Sequence, residues 1–209
     1  MGMKQILVMM AAVMSLSVTA DEVVITDPIL KEALGKQLKK PYGKFAPPMK
    51  LTEAELQKLT LLGLTNTQIT DEGLKDVAKV QNLKDLVLND TKITSAGLKE
   101  LAKLQQFRNL YLSRTQITDA DLVEVAKLQN LEKLLLNNTQ ITDAGLKDVA
   151  KLQKLKILDL KATRITNAGL KDVAKMQKLI YLWLNDTKIT NEDVAELKKA
   201  LPNCRIIGP

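Results

Sequence analysis

The chain has 209 residues, a net charge of +7, one cysteine and no histidine. Without histidine there is no Ser-His or Cys-His nucleophile pair, and the commonest protein general base and metal ligand is missing. The lone Cys204 rules out an intrachain disulfide and a cysteine-rich metal site, so a mature domain of this length must be held by its apolar core.

Residues 1–20 carry one charge, Lys4, then an apolar run from Ile6 to Val13 and the small residues Val18-Thr19-Ala20. That run is too short to span a bilayer, and the order of basic, apolar and small residues is that of a secretory signal. Cleavage after Ala20 is expected, with a periplasmic or extracellular mature chain that has no transmembrane segment. Residues 21–58 read as an N-terminal helical cap. Thr26-Asp27-Pro28 starts a helix whose apolar side is Ile29, Ala33, Leu34 and Leu38, with proline in its first turn. A stretch from Pro41 to Pro48 leads to a second short capped segment, Leu51 to Leu56.

Residues 59–202 repeat six times without a gap at a period of 24. Leu83, Leu86, Leu88, Thr91 and Ile93 recur as Phe107, Leu110, Leu112, Thr115 and Ile117, and the echo continues through Leu179, Leu182, Leu184, Thr187 and Ile189. Such a chain is a stack in which each unit buries its apolar face against its neighbours. Leu-x-x-Leu-x-Leu alternates as a strand with one buried face. Leu146, Val149, Ala150 and Leu152 then recur at helical spacing, with Thr142 or Asp143 in front as a cap. Parallel strands about 4.8 Å apart, backed by wider helices, bend the stack into an α/β solenoid with the sheet on its concave side. Residues 203–209 read as a closing strand, with Cys204 as a small buried residue.

The threonines Thr67, Thr91, Thr115, Thr139, Thr163 and Thr187 are expected to form a buried ladder that satisfies backbone groups at the strand ends. Gly73, Gly97, Gly145 and Gly169 share a position with Asp121 and Asp193, so that site accepts a small polar side chain and is no phosphate loop. The polar pairs that follow each strand, such as Asn89-Asp90 and Asn137-Asn138, vary between units. They suit turns better than a calcium cage, which needs six or more convergent oxygens.

The consensus Leu-x-x-Leu-x-Leu-x-x-Thr-x-Ile-Thr-Asp-x-Gly-Leu-x-x-Val-Ala-x-Leu resembles the leucine-rich repeat family. More narrowly, it is similar to short secreted bacterial repeats with Thr where other subclasses place Asn or Cys. The N-terminal segment is similar to the cap of internalin-like repeat proteins. The resemblance implies a leucine-rich repeat horseshoe with a parallel sheet on the concave face and short helices on the convex face.

Residues between the strand leucines then face the hollow. Tyr111, Lys133, Leu135, Ile157, Asp159, Tyr181 and Trp183 are the candidate ligand-binding set, an apolar patch crossed by opposite charges. Three of the chain's six aromatics fall here, where the core needs none of them, and Tyr and Trp dominate interface hot spots. Leu61 and Gly63 on the first strand are expected to pack near the cap. The lysines of the helices alternate with Asp and Glu, which describes a solvated outer face, so no nucleic-acid partner is expected.

These features point to a secreted, monomeric, non-catalytic module that binds a protein or peptide, with no cofactor or metal. A structural or assembly element of the cell envelope, joined through terminal strands, is the alternative. A hydrolase is a remote one. Asp85 and Asp159 lie three strands, about 14 Å, apart, too far for a glycosidase pair, and Ser113 has no evident base beside it.

Overall fold

The structure, a computed structural model, describes residues 22–43 and 47–208. The expected signal over residues 1–20 lies outside the described residues. The amino end is built from β1 (Val23–Ile25), α1 (Pro28–Leu38), β2 (Met49–Leu51) and α2 (Glu53–Leu56). β1 and β2 form an antiparallel pair that periodicity did not suggest, because three-residue strands carry too little alternation to register. Asp27 caps α1, its carboxylate accepting from the Leu30 amide at 2.8 Å, and Pro28 occupies the first turn, where no amide is needed. Thr52 and Glu55 make a reciprocal capping box on α2.

Seven strands then run parallel in chain order: β3 (Leu61–Gly63), β4 (Asp85–Val87), β5 (Asn109–Tyr111), β6 (Lys133–Leu135), β7 (Ile157–Asp159), β8 (Tyr181–Trp183) and β9 (Arg205–Ile207). Each of the first six leads to a short helix: α3 (Asp71–Val77), α4 (Ser95–Leu101), α5 (Asp119–Val125), α6 (Asp143–Val149), α7 (Asn167–Val173) and α8 (Asn191–Ala200). Every pairing is offset by 24 residues, so Leu62, Leu86, Leu110, Leu134, Leu158, Leu182 and Ile206 stand in one row. The six leucines are buried, as is Phe107 in place of a leucine. No helix among the described residues is long and apolar enough to cross a membrane.

The threonine ladder is present in all six coils. Each hydroxyl donates to the carbonyl of the leucine three residues earlier, at 2.7 Å for Thr67 and 2.6 Å for the others. The residue just before each of these threonines turns left-handed, with φ between 53° and 57° at Asn66, Asp90, Arg114, Asn138, Ala162 and Asp186. The polar columns are therefore turn residues. Asn and Asp tolerate that conformation, whereas Arg114 and Ala162 hold it against their intrinsic preference.

Helix starts are tied together by carboxylates. Thr94, Thr118, Thr142, Thr166 and Thr190 are N-caps, and each receives an aspartate on its own backbone amide. For Thr94, Thr142 and Thr166 the aspartate opens the preceding helix: Asp71, Asp119 and Asp143, all at 2.8 Å. For Thr118 and Thr190 it sits three residues ahead, as Asp121 at 2.6 Å and Asp193 at 2.9 Å. This accounts for the glycine position. A methyl on Gly97 or Gly169 would come within 2.5 Å of Oδ1 of Asp71 or Asp143. Where the preceding helix opens with Ser95 or Asn167 instead, the space holds Asp121 or Asp193.

Asp76 on α3 latches the amino end to the first coil. Its Oδ2 accepts from the Thr26 amide at 2.7 Å, the Asp27 amide at 2.9 Å and the Thr26 hydroxyl at 3.0 Å. Lys79 donates to Asp76 Oδ1 at 2.5 Å and to the Val24 carbonyl at 2.9 Å. Beside α1, Gly63 lines a groove of about 450 Å³ together with Ile29 and Ala33. Leu61 lies beside the cap as expected, its carbonyl accepting from Gln37 at 3.1 Å, yet the residue remains 51% exposed. At the carboxyl end Cys204 is buried, and that burial pushes its thiol up to about 11.

Candidate functional site

The concave face is set by strand alternation, since the central residue of each strand from β3 to β8 is buried and both of its neighbours look the other way. Two rows result. One runs Asn109, Lys133, Ile157, Tyr181 and Arg205, and the other Tyr111, Leu135, Asp159, Trp183 and Ile207. All seven residues of the candidate set stand on these rows, half-buried except for Tyr181, which is more exposed.

Tyr181 and Trp183 form the apolar centre. Their ring centroids are 5.8 Å apart and their planes meet at 19°, a stacked pair on one strand. Ile157 is in register with Tyr181 on β7, and Asp159 with Trp183. Leu135 flanks Asp159 from β6. At the other end of the face, Lys133 Nζ lies 4.9 Å from the centroid of the Tyr111 ring, a cation–π contact made within the chain.

The charges around this patch are mostly matched. Arg114 binds Asp90 through two nitrogens, at 2.5 and 2.6 Å. Lys161 lies 3.5 Å from Asp186. Asn109 donates to Asp85. Arg108 and Lys156 flank Glu132 at 3.0 and 2.6 Å. Asp159 differs, because among the described residues its carboxylate accepts a single hydrogen bond, from the Lys161 amide at 2.9 Å. Burial between Leu135 and Trp183 raises its carboxyl above the usual range, and the Lys161 amide and charge only partly offset that.

Sequence reasoning missed Arg205 and Ile207. They lie one period beyond Tyr181 and Trp183 and carry both rows onto β9. The signal was the spacing of 24, which persists after the leucine pattern has faded. A second groove, of about 290 Å³, opens on the convex side between α7 and α8, away from the aromatic pair, and is lined by Leu170, Ala174, Leu197 and Ala200.

Four segments match the family model described as Leucine Rich repeat: residues 55–78, 81–102, 127–150 and 151–174. The coil between the second and third matches departs from consensus at Phe107 and Asp121, yet forms the same strand and helix. A leucine-rich repeat protein of Leptospira interrogans is similar, with a TM-score of 0.56 and 28% identity over 73% of this chain and 38% of that one. An internalin of Listeria monocytogenes has a similar fold, with a TM-score of 0.61 and 22% identity over 87% of this chain and 55% of its own. The chain thus spans less than two thirds of either protein. No curated protein matches it. Taken with the geometry above, the four matched segments are leucine-rich repeats and the chain has the fold of a leucine-rich-repeat solenoid.

Proposed function

We propose that this is a secreted, non-catalytic module that holds a protein or peptide against its concave sheet. Leucine-rich repeats generally mediate protein–protein binding, which supports the class. The observation that carries the site is the Tyr181–Trp183 stack. Two large rings lie on the open face of β8 while the core beneath is completed by Leu182 and its row. Aromatic side chains of this kind bring rigid contact area with a polar handle, the composition of interface hot spots.

Replacing both rings by alanine tests the assignment. Partner capture from the envelope fraction of the source cells falls at least tenfold for the double variant, while Tm stays within about 2–4 °C of the parent, equivalent to about 1 kcal/mol in a domain of this size. Loss of cooperative unfolding in that variant overturns the site, because the rings would then be core. Secretion is tested separately, by sequencing the amino terminus of the exported chain for cleavage after Ala20.

The envelope-assembly reading rests on β9, which among the described residues pairs with β8 alone and leaves a sheet edge. Self-association that depends on chain concentration and survives the aromatic substitutions favours it over the concave site.

A further inference from the structure

We propose that the concave site selects a partner segment carrying a lysine or arginine flanked by apolar residues, with Asp159 as the group that receives the cation. This deepens the concave-face reading above and rests on it.

Two observations agree. The first is charge. Most charged groups around the face are engaged with one another, as in Arg114–Asp90, Lys161–Asp186 and the Glu132 pair with Arg108 and Lys156. Among the described residues Asp159 forms no ion pair with a side chain, and its one hydrogen-bond donor is the Lys161 amide, the Lys161 ammonium lying 3.5 Å from Asp186. It sits in register between Leu135 and Trp183, so its ionised form is poorly solvated. Arg205 is two strands away, about 10 Å, and stands on the other row, in register with Tyr181. A carboxylate in this setting gains most from a cation that arrives with its own apolar stem.

The second is the aromatic geometry. At β5 the chain places its own ammonium, Lys133, over the Tyr111 ring. No cation–π contact is made to the Tyr181 or Trp183 ring among the described residues. One strand from Trp183, Asp159 supplies the negative charge that would hold a guanidinium or ammonium against the indole. The adjoining Ile157 and Leu135 suit aliphatic or aromatic neighbours of that basic residue in the ligand.

The test is selection from a displayed library of random dodecapeptides against the chain, with Trp183 as the reporter. It is the only tryptophan in the sequence, so a binding peptide changes the intrinsic fluorescence at the site itself. Expected clones carry a Lys or Arg between apolar residues. They lose at least tenfold in affinity when that residue becomes citrulline or norleucine, and lose a similar factor on Asp159→Asn. Clones that bind through Trp183 and Tyr181 but show neither basic enrichment nor sensitivity to Asp159→Asn overturn the cation assignment and leave the concave site standing. If no recovered clone is weakened by alanine at Trp183 and Tyr181, both assignments fail. Asp159→Asn should also leave Tm unchanged or raised near neutral pH, because the folded state disfavours this carboxylate's ionised form; a clear fall in Tm would make Asp159 a structural residue and overturn the proposal.

Discussion

Exchanging the carboxylate that serves one helix start for the alternative used elsewhere in the stack tests the logic of the repeat. Asp119→Ser removes the group that accepts from both the amide of Thr142, at 2.8 Å, and its hydroxyl, at 2.5 Å. Hydrogen bonds to charged groups contribute about 1.5–3 kcal/mol each when shielded. These are only partly buried, so the expected loss is about 2 kcal/mol in all. Gly145→Asp alone forces its side chain against Asp119, whose carboxylate already fills the space a Cβ needs, and should cost about 1–3 kcal/mol through strain and like charge. The two together rebuild the arrangement seen one coil earlier, where Ser95 donates to Asp121 and Asp121 accepts from the Thr118 amide. The double variant should therefore lie within about 1 kcal/mol of the parent, a coupling of about 2–4 kcal/mol on a double-mutant cycle. Urea denaturation followed by far-UV circular dichroism measures it. If the two losses simply add, the exchange between Asp on one helix and Gly or Asp on the next has no energetic basis.

Two further outcomes follow from the same geometry. Ala162 holds φ 53° without the side-chain hydrogen bonding that favours asparagine there, so Ala162→Asn should stabilise the chain by about 0.5–1 kcal/mol, and an unchanged or lower midpoint in urea contradicts it. At Asp76 burial opposes ionisation, yet Lys79 and the Asp27 and Thr26 amides win and hold the carboxyl below its usual range. A depressed carboxyl stabilises the fold above its unfolded-state value and ceases to do so as pH falls through the folded-state value. Asp76→Ala should therefore speed amide exchange in β1 and α1 at neutral pH, with the difference from the parent narrowing in acid; a difference that does not change with pH would remove Asp76 as the latch.

The solenoid was legible because its signal is redundant. Six aligned copies of Leu-x-x-Leu-x-Leu specify strand, face and offset together, and an error in one copy is outvoted by the rest. The β1–β2 pair occurs once, in three-residue strands, and has no such support. The exposure of Leu61 was not legible for a related reason. Position in the repeat predicts which way a side chain points, but the first strand has no preceding coil, and whether its outer residues are covered depends on where α1 lies. The inter-coil aspartates escaped notice because the acceptor and the amide it serves are 23 residues apart, and only the coil geometry makes them neighbours.

The distinction between these aspartates carries the functional argument further than composition does. Asp71, Asp119 and Asp143 each accept from an amide and a hydroxyl of the next coil, and Asp76 from two amides and a hydroxyl of the amino-terminal segment. Their placement is explained by what folding requires, because helix starts and chain ends expose donors that must be met. Asp159 meets a single amide and caps no helix, and burial works against its charge. A threonine or serine at that position would keep a polar strand surface without burying a carboxylate. A side chain that the stack does not use, next to two stacked rings that the core does not use, is the ground for placing the proposed site on β7 and β8.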